Sequence, residues 1–408
     1  MKKYILSIFN CLCLLLCGCI TEYTPSKIDE LADILVVEGI ITDNETIITL
    51  SRSAKLSEES INNVPVANAE VYVECDDGTI FHADSPDLWS SCWRCDGRYT
   101  IQTGQLKPDC KYRLKIEIEE PEGDCGDYIA CPTKVYEYCS DFSYPIITPE
   151  VDSVFWMKRG RGQPVMIYVS THDPENKIAH YRWSFKEDWE IVSELWLDGY
   201  PYYCWNLAKN KDLLIGSAEK MVFGRLMDKI TEISPSSRKL SEMYRIDVTQ
   251  NAISKRAYDY FANIQKNSQQ TGSIFAPIPS ELRGNITCKD DPDRPVIGYV
   301  DVSTTTKKRR YISRFDNVYE APRWECDELT KDELCAKLLG NCDGVEDPSC
   351  QDELNKRCQE LIIPPSYVLY YVPEPPDPEG EPTYVPVSCV DCRYYGTTKK
   401  PDDWPNNH

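Results

Sequence analysis

Cys19 stands where a thiol is acylated rather than where one is folded away. It follows Leu16-Cys17-Gly18, with Lys2 and Lys3 at the start and a largely apolar run from Ile5 to Leu16 between them. A basic start, an apolar stretch of roughly a dozen residues and a small residue at the cut describe a secretory signal. The stretch is too short to span a bilayer, which takes about 20 apolar residues. Leucine three before the cysteine and small residues at the next two places fit the lipobox pattern, cut just ahead of the cysteine. Cutting before Cys17 would set bulky Leu16 against the cleaved bond, so Cys19 is the expected lipid acceptor. Diacylglycerol on its sulfur and an acyl chain on its new amine exceed what stable anchoring requires. The expectation is a signal peptide over 1–18 and a polar tether over 19–32.

Elsewhere the reactive residue types do not converge. A nucleophile needs a base within hydrogen-bond reach and a group to orient that base. Only His172 and His180 lie far from the chain's two ends and its first strands, and both read as surface histidines, one before a turn and one on a strand's polar face. No Gly-x-Ser-x-Gly elbow or His-Glu-x-x-His helix occurs. Asp173, Glu175 and Asn176 in one turn are too few oxygen ligands for calcium. Cys92-Trp93-Arg94-Cys95 has redox-pair spacing, but Asp96-Gly97-Arg98-Tyr99 follows it, a turn into a strand. The helix N-terminus that lowers such a thiol's pKa is missing from that pattern. No catalytic residue, metal or cofactor is expected.

Recognition is better represented. Trp183, Trp189, Trp196, Tyr200, Tyr202, Tyr203 and Trp205 crowd a short stretch, and rings with polar edges stack on sugars and peptides. Trp183 and several neighbours read as core. Trp196 and Tyr200, beside Asp198-Gly199, read as exposed, and with Tyr202 they are the candidate contacts for a glycan or peptide ligand.

Composition bounds the setting. Of 20 cysteines, Cys11, Cys13, Cys17 and Cys19 fall in the leader and at the anchor, leaving sixteen from Cys75 to Cys392. That density belongs to oxidising compartments, and the spacing lacks paired CxxC motifs at zinc-finger distance, so disulfides are expected. The formal charge of −21 becomes −23 once Lys2 and Lys3 leave, which repels nucleic acid.

The elements that must position these residues are mainly strands. Tyr112 to Ile118 alternates apolar and charged in period two, and Ile34–Ile41, Thr46–Leu50, Ala69–Glu74 and Gly97–Ile101 are short strands between Gly, Asp and Pro turns. They predict a β-sandwich over 33–145, similar to transthyretin-like or carboxypeptidase-regulatory domains. A second β domain is read over 146–320, with Tyr181, Trp183 and Phe185 on one strand face and 190–250 of mixed character. Its helical insertion has Ser254 as N-cap and Ala257, Tyr258, Phe261 and Ile264 at helical spacing. Residues 321–408 form a cysteine-rich segment. Its five cysteines from Cys326 to Cys358 cannot all pair among themselves, and Cys389 and Cys392 are natural partners.

Several motifs in order resemble a family of Bacteroidota outer-membrane lipoproteins, domain-of-unknown-function family 4249. They are Leu35-Val36-Val37-Glu38-Gly39, Val151-Asp152-Ser153-Val154, Asp173-Pro174 before Tyr181-Arg182-Trp183, Pro277-Ile278-Pro279, Gly284-Asn285-Ile286, Val296-Ile297-Gly298-Tyr299 and Cys389-Val390-Asp391-Cys392. Asp403 departs from the aromatic usual there, as does the cysteine-rich insert. The resemblance implies an outer-membrane lipoprotein often encoded beside TonB-dependent transporters, and no known reaction. Asp152-Ser153-Val154 also fits the Bacteroidota O-glycosylation pattern, which makes Ser153 a candidate glycan site. The expected function is therefore a non-enzymatic accessory or ligand-binding lipoprotein. An adhesive surface protein and a hydrolase with an unfamiliar site are the two alternatives.

Overall fold

The computed structural model describes residues 34–53, 64–84, 96–121, 132–270, 284–316, 318–320, 326–340, 348–360, 363, 365–371 and 380–405. Cys19, the tether, Cys92–Cys95 and Pro277-Ile278-Pro279 lie outside them. The chain is mainly β, as the alternating pattern predicts. No helix among the described residues is long and apolar enough to cross a membrane.

The first compact unit takes residues 1–105, 109–143 and 280–301. One of its sheets orders Val296–Ile297, Leu35–Thr42, Asn44–Arg52 and Val64–Pro65 side by side, with Arg98–Gly104 also paired to Asn44–Arg52. The other runs Ile286–Cys288, Thr133–Ser140, Tyr112–Pro121, Ala69–Cys75, Ile80–His82. Period-two alternation works as read: Tyr112, Leu114, Ile116 and Ile118 are buried, while Arg113, Lys115 and Glu117 between them keep solvent contact. Ile48, Leu50 and Ile101 of the first sheet join Val71, Val73 and Leu114 of the second in the core. Buried Tyr99 ties its neighbours by accepting from the Ala69 N–H and donating to the Val66 carbonyl, both at 3.0 Å.

Residues 280–301 return to this unit, although they fall inside the continuous 146–320 domain read from sequence. The reason is strand pairing: Thr287 sits opposite Cys139, and Leu35 lies parallel to Val296. Gly298 permits that approach, since a Cβ there would stand 2.4 Å from the Val37 carbonyl oxygen.

The second unit takes residues 106–108, 144–279 and 302–408. A three-stranded sheet, Leu226–Ile233, Val165–Thr171, Val151–Lys158, shares one core with a sheet ordered Tyr203–Lys209, His180–Val192, Met243–Ala252, Thr305–Ser313. Tyr181, Trp183 and Phe185 all enter that core, as does Trp189. Trp183 donates its indole N–H to fully buried Gln250 at 2.8 Å, satisfying a group that burial would otherwise strand. The ambiguous stretch 190–250 is mostly strand, with single 3-10 turns at Val222–Gly224 and Arg238–Leu240. Its alternation was masked because the outer face of the sheet is itself covered: Asp188, Glu190 and Arg245 are buried there.

Ser254 caps the helix Lys255–Gln270 by accepting from the Ala257 N–H at 3.2 Å. That helix corrects the reading of His180 as a surface residue. His180 is buried, its ring stacked on Tyr258 at 4.7 Å, and burial lowers its pKa below the ordinary value. Arg182, next on the same face, lies 4.9 Å over Phe261. The helix Lys331–Leu339 carries a Thr330–Glu333 capping box. Leu334 and Cys335 are buried, and Leu338 is exposed. The buried face turns instead towards Cys358, which is bonded to Cys335.

Candidate functional site

The aromatic stretch divides much as its turn residues predict. Val192 and Tyr203 are cross-strand partners, and the loop between them reverses at Asp198-Gly199, where Gly199 takes φ +83°. The Tyr200 N–H donates to the Leu197 carbonyl at 3.2 Å, closing the turn, and only glycine takes that φ without strain. Trp196 is 65% exposed on this loop. Tyr200, read as exposed, is half-buried, as is Tyr202, which meets Tyr203 edge to face at 5.0 Å between centroids.

Partners from the far end of the chain hold the loop in place. The Leu195 N–H donates to the Cys389 carbonyl at 2.9 Å, and the Cys392 N–H to the Pro201 carbonyl at 3.3 Å. Cys204 is disulfide-bonded to Cys392, and Cys326 to Cys389. Cys389 thus pairs with the cysteine-rich insert as expected, whereas Cys392 reaches back beside the aromatic run. A two-way exchange between Trp205 and Thr397, 2.8 Å each way, continues the contact. The segment adds exposed Tyr394, while Tyr395 lies under the Arg238 guanidinium at 3.8 Å. Asp391 is held below the ordinary carboxylate range by its hydrogen bonds to Arg393. The result is an aromatic ledge built from two segments nearly 200 residues apart and stapled by disulfides. Sequence reading missed Tyr394; the available signal was cysteine parity, which pointed to the tail without saying where it lands.

A second feature is a recess of about 490 Å³ floored by Phe185, Leu214 and Ile230 and edged by Lys209, Lys211 and Lys229. Lys229 is paired with Glu232 at 2.7 Å. Glu187, Asp212 and Glu232 line the same recess, so its three lysines are balanced by three carboxylates. Lys209 ends the strand Tyr203–Lys209, Lys211 lies in the loop after it, and Lys229 comes from inside the strand Leu226–Ile233.

The other sequence candidates have structural duties. Asp173 accepts from the N–H groups of Glu175, Lys177 and Ile178 at 3.0, 2.7 and 2.8 Å. Burial alone would raise its pKa, but these donors outweigh it and hold the carboxyl low. His172 Nδ1 lies 2.7 Å from Asp152, two members of a relay. Its contact is with both carboxylate oxygens of Asp152, which can orient the ring. Ser153 is half-buried in the strand Val151–Lys158, opposite Ser170. Lys307 to Arg310 occupy the middle of the strand Thr305–Ser313 at the sheet's margin. Arg309 there forms a fork with Asp247 at 2.6 and 2.8 Å.

The profile of a family described as a domain of unknown function, DUF4249, matches residues 20–309. No curated protein matches the chain.

Proposed function

The chain belongs to the DUF4249 family, and on that premise we propose that it is a lipoprotein anchored in the outer membrane through Cys19. There it presents the aromatic ledge to a glycan or peptide ligand in the service of a TonB-dependent transporter. The ledge carries this reading. An exposed tryptophan beside half-buried tyrosines costs solvation unless a partner covers it, and rings already held by disulfides lose little entropy on binding. The adhesive alternative needs an open strand edge for assembly. Lys307, Lys308, Arg309 and Arg310 arm the margin of the larger sheet with like charge, a pattern that discourages strand addition.

The test is a glycan and peptide array probed with the purified mature chain. Trp196→Ala/Tyr202→Ala is expected to weaken any ligand bound by the wild type at least about tenfold, since buried aromatic anchors commonly contribute 2 kcal/mol or more. Retained binding in a folded double variant would remove the ledge from the account.

A further inference from the structure

Cys75 and Cys110 stand as thiols in a chain whose other described cysteines include three bonded pairs. Cys75 closes the strand Ala69–Cys75, which pairs with Tyr112–Pro121 in a register that sets Cys75 opposite Tyr112. The pairing runs one step beyond the strands: the Asp76 N–H donates to the Lys111 carbonyl at 2.9 Å, and the Lys111 N–H to Asp76 Oδ1 at 3.0 Å. Cys110, one residue further on, is therefore carried back towards Cys75. The two Sγ atoms and an Asp76 carboxylate oxygen lie within 4.8 Å of one another. Both residues belong to the same compact unit.

We propose that Cys75 and Cys110 form a disulfide that locks the hairpin end of this sheet. A side-chain rotation closes the remaining gap, because the backbone is already pinned on both sides. Zinc is the rival occupant, but a structural zinc site closes with four ligands and this set offers three. One oxygen of Asp76 is moreover engaged by the Lys111 N–H. Burial pushes the Cys75 thiol up to about 11, so thiolate, the form a metal needs, is scarce there.

A low-molecular-weight disulfide such as oxidised glutathione supplies the oxidation. The half-exposed Cys110 thiolate attacks it, forming a mixed disulfide and releasing one reduced glutathione. Cys75 then loses its proton and attacks the Cys110 sulfur, releasing the second. Two protein thiols have lost two protons and two electrons, and one glutathione disulfide has become two thiols. Once formed, the bond resists reversal: attack at accessible Cys110 would have to expel Cys75, whose high pKa makes it a poor leaving group.

The experiment uses the purified full chain, so it does not depend on the anchor or the ledge. The protein is equilibrated with oxidised glutathione, denatured without reductant, alkylated and mapped by mass spectrometry. A Cys75–Cys110 cross-linked peptide is expected, with neither thiol alkylated. Cys110→Ser should expose one alkylatable thiol at Cys75, and Cys75→Ser one at Cys110. Should one variant fail to fold, the other and the wild-type cross-link still decide the matter. Both thiols alkylated in the wild type, cross-links to other cysteines instead, or about one equivalent of zinc released on alkylation would each overturn the proposal.

Discussion

Cys204→Ala/Cys392→Ala is expected to lower the stability of the second unit by about 2–5 kcal/mol and to release the aromatic ledge. The bridge joins residues 188 apart. In the chain-entropy picture a loop that long is restrained by roughly 5 kcal/mol, an upper figure because the other bridges already shorten the free chain. Both half-cystines are buried in the core of that unit, so the substitution removes packing as well. The hydrogen bonds from Leu195 to Cys389 and from Cys392 to Pro201 depend on the same alignment. Chemical denaturation should show the loss, and limited proteolysis should find new cuts between Ser193 and Tyr202 and between Cys389 and Thr397. A loss below about 1 kcal/mol with an unchanged digestion pattern would mean that strand pairing alone holds the ledge.

Arg245→Ala should be as damaging, for an electrostatic reason. Arg245 is about 1% exposed, and so is Asp188, to which Nη2 donates at 2.8 Å. Nη1 reaches Asp403 at 2.6 Å, and the guanidinium lies 5.2 Å from the ring of buried Trp404. Removing the cation leaves the buried Asp188 carboxylate with only Lys186, at 3.2 Å, as counter-charge among the described residues, and breaking a buried pair typically costs about 3–5 kcal/mol. Arg245→Met/Asp188→Leu, which deletes both charges and keeps the volume, should recover most of it. A single and a double variant equally unstable would locate the effect in packing rather than charge. The same contact carries a pH signature. Hydrogen bonds from Arg245 and then Arg309 lower Asp403 to about 2. A carboxyl depressed in the folded state adds stability that is complete above its ordinary pKa and disappears as pH falls towards 2. Trp404 fluorescence should therefore report release of the tail between about pH 4 and pH 2.

Arg245 also explains where sequence reading stopped. Tyr112–Ile118 was legible because one face meets the core and the other meets water. His180–Val192 and Met243–Ala252 have a second cover, the tail, so charged residues sit buried on their outer face and break the alternation. His180 is buried for the same reason: its polar-looking face lies under the helix Lys255–Gln270. Within the site, the Asp198-Gly199 turn marked exposed Trp196, whereas Tyr200 beside it is half-buried. Nothing in local spacing says that Cys392 must travel back to Cys204, because disulfide connectivity is a property of the folded chain. The return of 280–301 to the first unit was equally invisible, since short strands carry no mark of their partner.

The accessory role is tested most directly by purifying the tagged protein from detergent-solubilised native outer membranes, at low and high salt, beside Cys19→Ala. The wild type is expected to bring down a TonB-dependent transporter. More of it should come at low salt, because an anionic chain of this size favours a basic partner surface through screened charges. Cys19→Ala is expected to leave the membranes and lose the transporter, since the anchor supplies the local concentration that a weak interface needs. Wild type recovered alone under both conditions, with crosslinking also silent, would contradict the account.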